Sequence, residues 1–264
     1  WTTVGVSVQS SDLEEDVSSI DCDVASVYAS HGGERTRIGA KIEYRKEQGA
    51  VEREQWLTTN SLTYRATEGL TLQGKFSLAN TTREGSEASA DSDDEARFIE
   101  AGFGFAWRPG CGGRSNVLGR YTYLSDLSGA SQTPTSGYEQ RSHVVELEGM
   151  RAVGHRLSLG GKLARRQGEL RVAGSDGDWF STEVNFAAAR ARYHIVKEWD
   201  GLVEYRWIAV KETEDERQGV LAGLYRQIGA NLRLGVGYNF TDFTDDLTDL
   251  SYESHGWFID VTGS

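Results

Sequence analysis

Proline is nearly absent: two residues in 264. Proline removes a ladder donor, so its scarcity leaves the chain free to form long paired strands. Cysteine is equally scarce. Cys22 and Cys111 are too few for a disulfide scaffold and have no metal-ligand spacing. No run approaches the ~18 apolar residues of a transmembrane helix. Basic residues are outnumbered, 28 Lys and Arg against 40 Asp and Glu, giving a net charge of -12. That balance argues against a nucleic-acid partner, which would call for a basic face. No HExxH, GxSxG, CxxC or phosphate-binding loop occurs, so no cofactor, metal site or enzyme class is indicated.

The chain does have 31 Gly, 7 Trp and 11 Tyr, and a strong alternation. In 231–241, Leu232, Leu234, Val236, Tyr238 and Phe240 share one parity, while Arg233, Gly235, Gly237 and Asn239 share the other. The same pattern recurs at 37–45, 70–79, 98–107 and 202–209. Period two over about ten residues is the mark of a strand with two unlike faces. No window shows a helical period. The pattern predicts strands at 1–9, 22–30, 35–46, 53–65, 69–80, 95–107, 115–125, 139–151, 155–169, 179–195, 201–212, 216–228, 230–242 and 251–263. The phase shifts near Phe186, which suggests a bulge there.

Connections are expected to alternate between short turns ("SHGGER", "ATEG", "VGH", "IGA") and long polar loops at 10–21, 81–94, 126–138 and 241–250. An all-β antiparallel meander of about fourteen strands, with short turns at one end and longer acidic loops at the other, is the pattern of a transmembrane β-barrel. In that class the short turns are periplasmic and the long loops extracellular, so an even strand count predicts both termini on the periplasmic side of a bacterial outer membrane. A soluble barrel or sandwich, with the apolar faces turned inward, is the alternative.

In the barrel reading the wet faces line the lumen. They carry Arg37, Lys41, Glu43, Lys75, Glu100, Arg120, Glu146, Glu148, Lys162, Arg166, Arg190, Arg192, Glu204, Arg206, Arg233 and Asp260. Such a lining would form either an anion-favouring pore or a salt-bridged plug. The opposite faces carry aromatics toward the strand ends, as two interfacial girdles predict. Tyr64, Trp107, Tyr193, Tyr205 and Tyr225 are expected near the short turns; Trp56, Tyr123, Trp179, Phe240 and Trp257 near the long loops.

The run "LGVGYNFTDFTDDLTDL…GWF" (234–258), with "EWDGLVEYRW" (198–207), resembles the C-terminal barrel of very long, repeat-containing bacterial outer-membrane proteins. The likeness is good from about residue 140 onward and loose before it. It implies that residues 1–264 form one outer-membrane barrel domain, the C-terminal part of a longer protein. Such a barrel would anchor a larger attached polypeptide and help export or display it. The implied partners are outer-membrane lipid and lipopolysaccharide, the barrel-assembly machinery, and an upstream passenger or lumen-filling segment. It carries over no catalytic residues. Barrels of that kind end in an aromatic residue, whereas this chain stops at "DVTGS".

A stand-alone porin-like channel for small solutes is the alternative function. A rim hydrolase built from Ser254, His255 and the acidic residues Asp245, Asp246 and Asp249 is a third, and a polar loop end explains those residues more simply. Asp242, Asp245, Asp246 and Asp249 carry oxygen ligands suited to Ca²⁺ or Mg²⁺, but their spacing matches no EF-hand.

Overall fold

The computed structural model describes the chain except for residues 16–17, 49–51, 85–95, 110–113, 128–137, 173–176, 230–231, 244–245, 249–254 and 264, and the side chains of 12–15, 18–20, 83–84 and 96. Its described residues form fourteen strands: β1 (Thr2–Glu15), β2 (Ser18–Gly32), β3 (Thr36–Gln48), β4 (Glu52–Arg65), β5 (Leu70–Glu84), β6 (Ala96–Trp107), β7 (Ser115–Leu127), β8 (Tyr138–Ala152), β9 (Leu157–Val172), β10 (Phe180–Val196), β11 (Trp199–Val210), β12 (Asp215–Ile228), β13 (Leu232–Asn239) and β14 (Gly256–Gly263). Each hydrogen-bonds to its sequence neighbours in the order β1 to β14, without a crossover. The pairings from β1 through β5 and from β10 through β14 are antiparallel. All fourteen expected strands are present.

Two expectations about connections need correction. Residues 10–21 are not a long loop: β1 continues to Glu15 and β2 begins at Ser18, in unbroken register from Thr2↔His31 to Glu15↔Ser18. Alternation there is blurred by polar residues, and backbone pairing carries the hairpin through them. The pairing of β10 with β11 has no bulge at Phe186. The β10–β11 register runs evenly from Val184↔Val210 to His194↔Asp200 and shifts only between His194 and Val196. That shift adjoins the tight turn at Lys197, whose φ of 52° is left-handed. The apparent change of phase at Phe186 has another cause, set out below.

The chain divides into two compact units, each described by itself. The first comprises Trp1–Gly104, Thr122–His143 and Gly168–Phe180. There Val4, Val6, Val8, Ile38, Ile42, Leu62, Phe76 and Phe103 leave one face apolar and exposed, while Ser26, Glu43, Gln55, Ser77 and Thr81 are buried on the other. Gln55 Nε2 donates to Thr81 Oγ1 at 2.9 Å across that polar face. The Tyr28 ring lies over Gly5, its register partner, where a Cβ would come within 2.3 Å of it. An aromatic ring covering a cross-strand glycine shields the bare backbone.

The second unit comprises Phe105–Tyr121, Val144–Gln167 and Ser181–Ser264. Val203, Tyr205, Leu224, Val236, Ile259 and Val261 are exposed along one face, and Glu204, Arg206, Asn239 and Arg166 are buried on the other. Polar in and apolar out reverses the arrangement of a water-soluble domain. A continuous exposed apolar face of this kind calls for an apolar surround. Rings again cover glycines on the buried face, with Tyr225 over Gly235 and Phe258 over Gly237.

Candidate functional site

The polar face of the second unit is built in three tiers along the strands. The register places Arg190 opposite Glu204, Ala188 opposite Arg206 and Phe186 opposite Ile208, so these side chains share one side of the sheet. Glu204, only 2% exposed, anchors the middle tier. One of its oxygens accepts from Arg190 Nε, and the other accepts from Arg206 Nε at 2.6 Å. Arg190 also reaches Glu148 Oε1 with Nη1 at 3.1 Å. Beside this network, Glu146 takes Arg120 Nη2 at 2.6 Å and lies 3.4 Å from Lys162 Nζ. Arg166 is also buried in this unit. Buried carboxylates are costly unless opposite charges and donors meet them, and these meet more than one each.

The tier toward the 211–214 turn is apolar. Val144, Ala164, Val184, Phe186 and Ile208 cluster with Phe243 and Leu247, which follow β13 in the chain. Phe243 meets Phe186 edge-on with ring centres 6.4 Å apart. Lys162 Nζ lies 5.7 Å from the Phe186 ring centre on its other contact. This tier explains the sequence irregularity at Phe186: β10 keeps its phase, but the inward face itself changes from Arg190 and Arg192 to Phe186 and Val184.

Local chemistry turns the chain inward after β13. Asn239 Oδ1 accepts the Thr241 backbone N–H at 3.1 Å, an Asx-type turn, and also accepts the Thr241 hydroxyl. The Thr241 hydroxyl lies 3.2 Å from the Phe243 carbonyl oxygen. Gly219 on β12 makes room, because a Cβ there would lie 2.3 Å from Thr241 Cγ2 and 3.0 Å from its Cα. Asp246 Oδ1 accepts the Thr248 N–H at 3.0 Å, so this acidic residue is occupied with its own loop.

The third tier lies toward the 197–198 turn. Tyr225 is buried on the polar face beside Gly235. Arg233 and Arg192 approach its ring, with guanidinium carbons 4.3 and 5.8 Å from the ring centre. The placement of Tyr225 in the exposed girdle is therefore wrong. Its register partner Gly235 leaves a slot on the polar side that the ring fills. Asp260, opposite Gly235 on β14, takes the Thr262 hydroxyl at 3.3 Å.

In the first unit, Glu43 takes Lys41 at 2.6 Å and Arg45 at 3.6 Å, and Lys75 pairs with Glu100 at 2.7 Å. Arg37 is exposed near the 33–35 turn and joins none of these pairs. Of the expected girdle, Tyr64, Trp107, Tyr193, Tyr205, Phe240 and Trp257 are exposed, and Tyr123 is half-buried against His143. Tyr205 lies mid-strand rather than at the short turns, its hydroxyl 2.5 Å from Gln218. Tyr238 gathers Phe240 and Trp257 around it at 4.5 and 5.3 Å. Trp179 is half-buried, with Arg141 and Arg171 at 4.6 and 4.8 Å from its ring.

Sequence reasoning missed Phe243, Leu247, Val184 and Ile208, which are apolar residues on the wet side. The available signal was the irregular phase of β10 and the four-residue spacing of Phe243 and Leu247. Among the described residues no group of three or more His, Cys, Asp or Glu is placed to hold a metal. Ser254, Asp245, Asp249 and Cys111 lie outside the described residues.

No family model matches the chain, and no curated protein matches it. Solved structures do. The ferric enterobactin receptor PfeA matches with a TM-score of 0.65 at 10% identity, over 90% of this chain and 44% of the receptor. The ferric-catecholate import receptor Fiu of E. coli K12 matches at 0.66 and 8%, over 90% and 55%. The siderophore receptor PirA of Pseudomonas aeruginosa matches at 0.56 and 8%, over 88% and 42%. The chain spans about half the length of these receptors. The fold is that of the transmembrane outer-membrane β-barrels: all-β, antiparallel, an uninterrupted meander.

Proposed function

We propose that the chain is an integral outer-membrane β-barrel that works as a narrow channel for small solutes, with the polar faces as its lumen lining. The observation that carries this is the inverted burial of the second unit, where Glu204 and Arg206 are buried while Val236 and Ile259 are 47% and 80% exposed. Hydrocarbon offers no partner to backbone or charge, so a strand crossing it turns its apolar residues outward and its ionic ones inward. β1 to β12 have 12 to 17 residues, against about 9–11 needed to cross, while β13 and β14 have 8 each. Outer-membrane lipid and lipopolysaccharide are then the surround of the apolar face. Phe243 and Leu247 act as a constriction on the lumen side. No enzymatic role is assigned. The termini, by strand count, lie on the periplasmic side.

Two measurements test this. Brominated lipids should quench the fluorescence of Trp107 and Trp257, both exposed on the apolar face, in the chain refolded into vesicles. Planar-bilayer recordings should show discrete current steps, small in the native chain and larger when Phe243 is replaced by Ala. Absence of quenching overturns the membrane assignment, and absence of current in both proteins overturns the channel.

The likeness of 198–207 and 234–258 to C-terminal barrels of long surface proteins supports a second role, anchoring a polypeptide joined to the chain. A full-length gene encoding a repeat region ahead of Trp1 would favour it over the stand-alone channel.

A further inference from the structure

On the polar face of the second unit, Arg192 and Arg233 stand outside the ion pairs. Among the described residues, Arg190 and Arg206 share Glu204, Arg120 and Lys162 share Glu146, Arg165 takes Glu183, and Arg217 takes Asp215. Arg192 and Arg233 form no ion pair there. Their Nε atoms, and Nη2 of Arg233, are buried without a hydrogen-bond partner. Two acids share this face, Asp200 opposite Tyr225 and Asp260 opposite Gly235, but neither forms an ion pair with Arg192 or Arg233: Asp200 lies 2.9 Å from His194 Nδ1, and Asp260 takes the Thr262 hydroxyl at 3.3 Å.

The two guanidinium groups are nevertheless held together. Both approach the ring of Tyr225, which is only 5% exposed. That ring is fixed over Gly235, where a Cβ would lie 2.3 Å from its Cε1. The register puts all of these on the polar face: Arg192 opposite Leu202, Leu202 opposite Gly223, and Tyr225 opposite Gly235. Buried N–H donors without acceptors are costly, and two like charges sharing one ring repel. An oxyanion removes both penalties, since the guanidinium fork matches carboxylate and phosphate geometry.

We infer that Arg192 and Arg233, braced by Tyr225, form a binding site for the carboxylate or phosphate group of a small solute, on the polar face toward the 197–198 turn. The inference rests on the polar face being the solute-accessible lining. It adds to the channel a preferred ligand class, small oxyanions, and a place where they pause.

The test uses the whole chain refolded in detergent micelles and titrated calorimetrically with inorganic phosphate, and separately with succinate, at constant ionic strength in chloride. Saturable binding of at least one of them is expected. Arg192→Gln and Arg233→Gln should each weaken it by about tenfold or more, as loss of a charge-assisted hydrogen bond implies. Arg217→Gln, whose partner Asp215 adjoins the 211–214 turn, should leave it unchanged. Circular dichroism and heat-modifiable migration confirm that each variant is folded. Because replacing Arg233 also disturbs the seat of Tyr225, Tyr225→Leu is measured as well. It keeps both charges, and it should weaken binding less than either arginine change. No saturable binding of either anion by the native chain overturns the site, as does undiminished binding by folded Arg192→Gln. Micelle calorimetry needs no ion flow, so a failed site is distinguishable from a failed channel, which the bilayer recordings report independently.

Discussion

The ring of Phe243 stands edge-on to that of Phe186, 6.4 Å away, although one residue lies beyond the end of β13 and the other near the start of β10. Both are almost wholly buried, at 1% and 2% exposure. The pair holds the chain beyond β13 against the polar side of the sheet. Replacing Phe243 with Ala should cost roughly 3–5 kcal/mol, the usual loss for a buried aromatic, read from denaturant unfolding of the refolded chain. The same variant should conduct more than the native chain in a planar bilayer.

Gly219 offers an independent handle on the same segment. Gly219→Ala removes nothing, but its methyl would sit 2.3 Å from Thr241 Cγ2 and 3.0 Å from Thr241 Cα. Side chain and backbone would both have to yield. A loss of about 1–3 kcal/mol, as for other overpacked sites, should accompany a rise in conductance resembling that of Phe243→Ala. If Gly219→Ala leaves stability and current unchanged, Thr241 does not pass over β12 as described.

Glu204 serves two arginines while almost completely buried. Glu204→Gln keeps the shape and removes the charge. Leaving Arg190 and Arg206 without their shared carboxylate should destabilise the chain by about 3–5 kcal/mol, the scale for breaking a buried ion pair from one side. Excess positive charge on the lining should also raise anion preference, since lumen residues tune selectivity. Reversal potentials in a salt gradient, with equilibrium unfolding, check both outcomes.

Val236 and Gly237 are chain neighbours on opposite faces of β13. Val236→Arg should cost about 2–4 kcal/mol in lipid vesicles if the site lies near the bilayer midplane, and much less in detergent. Gly237→Ala should be costly in both media. Its methyl would meet the Phe258 ring at 2.3 Å and the Ala222 carbonyl oxygen at 2.5 Å. Comparing the two variants in the two media separates an effect of the surround from an effect of packing. Equal losses for Val236→Arg in lipid and detergent would count against a lipid-facing β13.

The strands and their two faces are legible in the alternation of side chains along the chain. Alternation is a local property: successive side chains of an extended chain point to opposite sides whatever lies beside them. Val203 and Glu204, or Val236 and Gly237, could therefore be assigned to opposite faces without knowing any partner. The paucity of proline belongs to the same local grammar. Glu204 could be foreseen as an acceptor, because it stands among arginines of matching parity.

The folded arrangement supplies what alternation cannot carry. It decided that β1 and β2 run through polar residues, because backbone pairing needs no apolar side chain. It turned Phe243 and Leu247 onto the polar side, through an Asn239 turn and a gap at Gly219 that belong to different strands. It seated Tyr225 over Gly235, ten residues away in sequence and adjacent only through register. It also decided which arginines find a carboxylate. Arg190 and Arg192 look alike in sequence, yet Glu204 lies opposite Arg190 while Leu202 lies opposite Arg192. Partner choice depends on register and packing between distant segments, and that physics sits above the level at which a strand pattern is written.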